Sequence, residues 1–238
     1  MFPAALANTS VVTAADFDHD GTLDLFVGGS AIPGKYPLAS GSWLLTKRQG
    51  VFNSVGSELA PALATLGRVA AALWSDVNND GWPDLLVACE WGPVRLYLNQ
   101  QGHSFEETTV DAGLSGHTGW WNSIEAADVN HDGNMDYIVG NAGLNTTYRA
   151  SPSQPVRLYS GDFDESGQNQ VLEAYHEDGR LLPRRNLTAL GSAMPFIRRL
   201  FPTTADFGHA ALEDIFALDH ATSLSANTLA SGIFINDG

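Results

Sequence analysis

The chain returns four times to one acidic nonapeptide: DFDHDGTLD at 16–24, DVNNDGWPD at 76–84, DVNHDGNMD at 128–136 and DFDESGQNQ at 162–170. Internal repetition constrains a fold more than any local propensity, because each copy must be one supersecondary unit packing on the next. A small-residue strand precedes each of the first three copies (VVTAA 11–15, VAAALWS 69–75, NSIEAA 122–127), and an apolar run follows (LDLFVGG, PDLLVAC, MDYIVGN). These runs have strand length and turn residues on both sides. Within them Leu25-Phe26-Val27, Leu85-Leu86-Val87 and Tyr137-Ile138-Val139 are apolar at consecutive positions. Both faces of such strands need cover, as when sheets stack face to face.

Trp43 to Gly50 with Phe52, and Val94 to Gly102 with Phe105, each read as a third strand, a glycine turn and an outer fourth strand. The unit is therefore strand, acidic loop, strand, strand, turn, strand, first repeating at 16, 76 and 128. Four antiparallel strands per unit, whose edges are protected only by radial packing, describe a β-propeller blade. A stacked solenoid is the alternative. The fourth acidic loop arrives early. Val156-Arg-Leu-Tyr159 repeats Val94-Arg-Leu-Tyr97, so that loop is expected in the third blade, after its third strand. From 186 the spacing turns helical, with Leu187, Leu190, Met194 and Ile197, then Phe207, Ala211 and Ile215, divided by Pro202. Thr203 or Thr204 is the expected cap of the second helix, with Asp206 favourable in its first turn. The reading is all-β: a partial propeller of four-stranded antiparallel blades with calcium loops and an inserted helical hairpin. About three blades fall in 1–178, the hairpin in 179–222 and the start of a further, truncated blade in 223–238. Three blades and a piece do not close a ring, so the remaining blades of the same propeller are expected in a longer chain.

The loop pattern sets oxygen ligands at positions 1, 3, 5 and 9 and a main-chain carbonyl at 7, with glycine at 6 for the sharp turn. Oxygens at this density suit Ca²⁺, which takes six to eight oxygen ligands in loose geometry, and no His or Cys is placed for zinc. The expected ligands are Asp16, Asp18, Asp20, Asp24 and the Thr22 carbonyl in the first loop. In the second they are Asp76, Asn78, Asp80, Asp84 and Trp82; in the third, Asp128, Asn130, Asp132, Asp136 and Asn134. An EF-hand needs Glu at position 12, where these loops have Val27, Val87 and Val139. The fourth loop has Gln170 at position 9 but Glu173 at position 12, so its candidate set is Asp162, Asp164, Ser166, Gln168 and Glu173. The competing reading of such a segment is a turn closed by its own side-chain hydrogen bonds.

The acidity supports an ion. Asp and Glu number 27 against 12 Lys and Arg, for a net charge of −15, and 13 of the acids lie in the four nonapeptides. Self-repulsion of that size opposes compaction unless a cation answers it. It also argues against nucleic acid and against an anionic membrane surface as partners. No apolar stretch reaches the length of a membrane span, so no membrane insertion is expected. Cys89, alone of its kind and inside an apolar run, reads as a buried inert thiol.

The loops with their following strands resemble FG-GAP/VCBS repeats, the units of the integrin-α-type calcium-binding propeller. Val27-Gly-Gly, Cys89-Glu-Trp-Gly92, Gly119-Trp-Trp-Asn-Ser-Ile124, Gly140-Asn-Ala-Gly-Leu-Asn145 and Pro155-Val-Arg-Leu-Tyr159 resemble bacterial VCBS-repeat proteins with an ASPIC/UnbV module, related to cartilage acidic protein. The resemblance implies an extracellular, cell-surface or periplasmic protein and a typically seven-bladed propeller. The opening MFPAALANTS lacks the basic and apolar parts of a secretion signal, so this location rests on the resemblance.

Two functions follow as expectations. One is a noncatalytic module that binds a protein or glycan, with Ca²⁺ stiffening its loops. Trp91, Trp120 and Trp121 are candidates for stacking on sugars, although inter-blade packing is the better reading for the last two. Asn141 and Asn145 are candidates for a ligand surface. The other is a propeller-scaffold enzyme acting on polysaccharide, a calcium-assisted lyase or a hydrolase. Its candidate acids and bases (His103, His117, His176, His209, His220, Glu90, Glu125) form no recognisable constellation, so no enzyme is expected.

Overall fold

The computed structural model describes residues 8–238; most of the opening MFPAALANTS, and the start of the first expected blade, lie outside them. Two compact units emerge. One comprises the described residues up to Asn145 together with Leu229–Gly238, the other Thr146–Thr228. The fold is mostly β, a partial propeller built from antiparallel sheets.

In the first unit, β1 (Thr9–Ala15), β2 (Asp24–Gly29), β3 (Trp43–Arg48) and β4 (Val51–Ser54) form one sheet in sequential order. A short helix α1 (Gly56–Leu59) and a 3-10 turn (Pro61–Thr65) lead to the second sheet. It contains β5 (Arg68–Ser75), β6 (Asp84–Gly92), β7 (Val94–Asn99) and β8 (Phe105–Glu107), and β9 (Gly119–Trp120) adds to the far end of β6. β10 (Ser123–Ala127) and β11 (Asp136–Gly140) open the third sheet.

The consecutive apolar residues serve two cores, because side chains alternate faces along a strand. Leu85, Val87 and Cys89 of β6 pack with Phe17, Phe26 and Leu44 of the first sheet. Leu86 and Ala88 of the same strand pack with Ile124, Tyr137 and Val139 of the third. The stacked sheets anticipated from those runs are present. Cys89 is buried, and the lack of solvent pushes its thiol up to about 12.

The expected course of the third blade is corrected. Its third strand is β16 (Gly232–Phe234), which pairs with β11, whereas Val156–Tyr159 belongs to the second unit. That unit has its own sheet, β14-β13-β12-β15, from β12 (Val156–Gly161), β13 (Gln170–Glu177), β14 (Arg180–Pro183) and β15 (Thr222–Ala226). Residues 223–238 therefore do not begin a further blade. They finish the second unit's sheet and then supply the third strand of the third sheet after an insertion. A four-residue resemblance to β7 records only the alternation any half-buried strand has; its partner is chosen by tertiary packing.

The helical hairpin is likewise subdivided, into α2 (Leu187–Ala193), α3 (Phe196–Leu200), α4 (Thr204–Gly208) and α5 (Leu212–Ile215). Pro195 lacks an N–H and ends the first segment, as Pro202 ends the next. The periodic positions Leu187, Leu190, Met194, Ile197, Phe207, Ala211 and Ile215 are all buried, most of them in the core with Leu172 and Ala174 of β13. Thr203 Oγ1 caps α4 by accepting from Asp206 N at 3.2 Å.

Candidate metal centres

All four loops adopt one backbone path. Position 4 is left-handed in each (His19 φ 54°, Asn79 57°, His131 63°, Glu165 57°), and so is the glycine at position 6 (Gly21, Gly81, Gly133, Gly167). A side chain is strained there and glycine is not. The carboxylate at position 1 closes the turn. Asp16 accepts from Asp20 N and Gly21 N, both at 3.0 Å, and Asp76 and Asp128 accept from the equivalent amides of their own loops. Position 5 accepts from the N–H of position 7: Thr22 to Asp20, Trp82 to Asp80, Asn134 to Asp132 and Gln168 to Ser166. The folded loop thus gathers the side chains of positions 1, 3 and 5.

Position 9 adds the buried carboxylate. Asp24, Asp84 and Asp136 start the second strand of each sheet and are fully buried. Each accepts from an N–H near the end of the third strand or just beyond it: Lys47 at 3.0 Å, Asn99 at 2.7 Å and Asn236 at 3.0 Å. Asp84 and Asp136 also accept from Val77 N and Val129 N. The other oxygen of Asp24, Oδ2, is buried without a hydrogen-bond partner, and carboxylate oxygens of Asp16, Asp18 and Asp24 lie within 4.8 Å of one another. Burial, opposed by the Lys47 N–H and aided by the neighbouring acids, pushes Asp24 up to about 6. Burial does the same for Asp84. The exposed Asp132 moves the other way, held down by the Asn134 N–H and the Asn130 amide. A buried orphan oxygen beside two more carboxylates fits a hard cation, and only oxygen donors converge there. The second and third loops carry the same donor set with Asn at position 3.

The fourth loop is different. Asp162, Asp164 and Ser166 come together, with the Gln168 N–H closing the turn. Gln170 Oε1 accepts from Phe163 N at 2.7 Å, the bond that Asp84 makes in the second loop, while its Nε2 donates to Asp164 at 2.6 Å and to Ser166. A neutral amide donor therefore stands where the other loops present an anion. Hydrogen bonds, that of the Ser166 side chain foremost, hold Asp164 below the usual carboxylate range against the opposing effect of desolvation. Glu173 does not join. It lies on the face of β13 opposite Gln170 and accepts from Tyr148 Oη at 2.7 Å.

Neighbouring loops are tied together by residues the sequence alone did not single out. Asn99 Nδ2 donates to Phe17 O at 2.9 Å, inside the first loop, and Asn236 Nδ2 donates to Val77 O at 2.9 Å, inside the second. The repeated signal was Asn at the end of a third strand, in YLNQQG (97–102) and FINDG (234–238). The Gly102 turn presses on the first loop, where an added Cβ would come within 2.9 Å of Asp18 Cα.

Other candidates resolve into structure. Trp91 and Trp121 are buried, and Trp91 meets Trp120 edge-on at 4.7 Å. Asn141, offered for a ligand surface, is buried: its Oδ1 accepts from Trp120 N, its N–H donates to Ser231 Oγ and its Nδ2 donates to Ala230 O. Asn145 is exposed. Glu90 is ion-paired with Arg68 and accepts from Tyr36 Oη, whose hydroxyl is pushed up to about 12 by burial and by that carboxylate. His176 contacts the Pro155 carbonyl through Nδ1.

Residues 76–139, from the second acidic loop through β11, match the FG-GAP-like repeat family. Among characterised proteins, integrin alpha-3 of Cricetulus griseus is similar, at 31% identity over an alignment covering 39% of this chain. The same alignment covers 11% of that protein, so the chain corresponds to a small part of its relative. The matched stretch spans β6 to β9 of the second sheet and, in the third, β10 and most of β11. Among the described residues no helix is long and apolar enough to cross a membrane.

Proposed function

We propose that this chain is a calcium-binding segment of a β-propeller in a secreted or surface-displayed protein, whose outer loops bind a protein or glycan partner. The observation carrying the calcium reading is Asp24 Oδ2, buried and unpartnered beside Asp16 and Asp18. Asp16, Asp18, Asp20 and Asp24 with the Thr22 carbonyl would hold one ion. Asp76, Asn78, Asp80, Asp84 and the Trp82 carbonyl would hold a second, and Asp128, Asn130, Asp132, Asp136 and the Asn134 carbonyl a third. A bound cation supplies the positive charge that packs these carboxylates together, which stiffens the loop between the first two strands of each sheet. Similarity to an integrin alpha chain supports surface display and a protein partner.

The partner nearest to hand is a further sheet of the same propeller. Phe26 and Leu86, two residues past position 9, are buried beneath the following sheet together with their cross-strand partners Leu44 and Leu96. The equivalent pair in the third sheet, Ile138 and Ile233, is 41% and 50% exposed. An apolar face in this register matches the two interfaces already formed, which supports another blade as its occupant. The enzyme reading has no such support, since Glu90 and His176 are engaged in the contacts described above.

The test is a thermal melt of metal-free protein against protein in excess Ca²⁺, with metal analysis of the purified chain. Each occupied site is expected to add about 2.7 kcal/mol at a hundred times its Kd. Identical melting temperatures, with no calcium in the purified protein, would sink the reading.

A further inference from the structure

The first loop differs from the second and third at position 3, where Asp18 replaces Asn78 and Asn130. In those two loops the asparagine amide donates to the position-5 carboxylate: Asn78 Nδ2 to Asp80 Oδ2 at 3.0 Å, and Asn130 Nδ2 to Asp132 Oδ2 at 2.8 Å. A carboxylate has no such donor. Arg48, at the end of β3, supplies it: Nη1 donates to Asp20 Oδ2 at 3.2 Å and Nη2 to Asp18 Oδ2 at 2.9 Å. One guanidinium therefore spans two of the expected calcium ligands. Its charge also restores parity: four aspartates and one arginine give −3, the sum of the three aspartates in each of the other loops. The matching strand-end residues of the other sheets, Gln100 and Asp237, carry no positive charge.

We infer that Arg48 sets the calcium affinity of the first loop, as a resident counter-cation that competes with Ca²⁺ for Asp18 and Asp20. This rests on the calcium reading of the loop and assigns its tuning to one residue. The geometry suits a displaceable competitor. The Arg48 side chain is 59% exposed, and an ion pair held at the surface by a flexible side chain is weak enough for a divalent cation to replace. Without it, the loop would present four carboxylates with a stronger field and a tighter grip on the ion. With it, the first loop fills at higher Ca²⁺ than its acid count implies, and the metal-free loop is partly neutralised meanwhile.

The experiment is a calcium titration of the full chain by isothermal calorimetry in about 0.15 M salt, where exposed charges are already partly screened, comparing wild type, R48Q and R48K. Arg48 is exposed, so neither substitution threatens folding. R48Q is expected to tighten one site about three- to tenfold and leave the others alone, as removal of one nearby like charge should. R48K keeps the charge and is expected to stay within about twofold of wild type. If R48Q binds as wild type does, or more weakly, Arg48 is not a competitor. If R48K tightens as much as R48Q, the effect is not one of charge, and the inference also fails. A wild-type chain without any calcium response would overturn the parent reading, whereas a responding wild type with an unchanged R48Q overturns this inference alone.

Discussion

The imidazole of His19 stacks on the indole of Trp82, with ring centroids 4.1 Å apart and planes inclined by 17°. His19 is position 4 of the first acidic loop and Trp82 is position 7 of the second. The same relationship recurs one sheet later, where Asn79 Nδ2 donates to Asn134 Oδ1 at 2.8 Å. The left-handed residue at position 4 points its side chain out of its own loop, and the next loop receives it. Successive loops therefore form a chain of contacts along one end of the stacked sheets.

That relationship is measurable as a coupling energy. A double-mutant cycle of His19→Ala and Trp82→Ala, followed by urea unfolding of metal-free protein, should give about 0.5–1.5 kcal/mol, the range of a stacked ring pair. Strictly additive single-substitution effects would show that the two loops are energetically separate.

The repeat made much of this legible. Three acidic loops, the strands flanking them and the apolar faces on both sides of β6 follow from local pattern, because each is fixed within about fifteen residues of sequence. The periodic helix positions are buried as expected, although Pro195 breaks the first helix. What pattern does not carry is which strand completes which sheet. Val156–Tyr159 and Gly232–Phe234 both have a third strand's alternation, and only the pairing of Val139 with Gly232 and of Ile138 with Ile233 decides between them. Position 12 misled for a related reason. Glu173 has the right spacing for a ligand, yet β13 runs on without a bulge, so its side chain leaves on the face opposite Gln170. Spacing alone does not say which side of a strand a residue is on.

The two exposed isoleucines of the third sheet give a second test. Leu86 is 2% exposed and Ile138 41%, though both stand two residues past position 9. Leu86→Ala removes packing from a filled interface and should cost about 2–5 kcal/mol. Ile138→Ala removes a side chain with half of its surroundings open to water, and should cost less than about 1 kcal/mol. Chemical denaturation of both variants distinguishes them. Equal losses would mean that the face bearing Ile138 is already covered in solution, for instance by self-association.

Asp24 and Asp84 make stability depend on pH in a direction that calcium should reverse. Both are raised from the ordinary 3.8 to about 6, chiefly because burial disfavours the charged form. Between pH about 4 and 6 the folded chain therefore holds protons that the unfolded chain has released, and stability falls as pH rises where the folded state binds more protons. The contribution of these two groups in metal-free protein is complete below pH about 4 and is lost as pH rises through about 6. Calcium needs the same carboxylates ionised, so its binding releases protons and strengthens over that window. Melting temperatures measured from pH 4 to pH 8, with metal-free and calcium-saturated protein in parallel, should nearly coincide at the acid end and diverge towards neutrality. A gap between the two curves that stays constant across the range would mean that neither buried aspartate takes part in binding the ion.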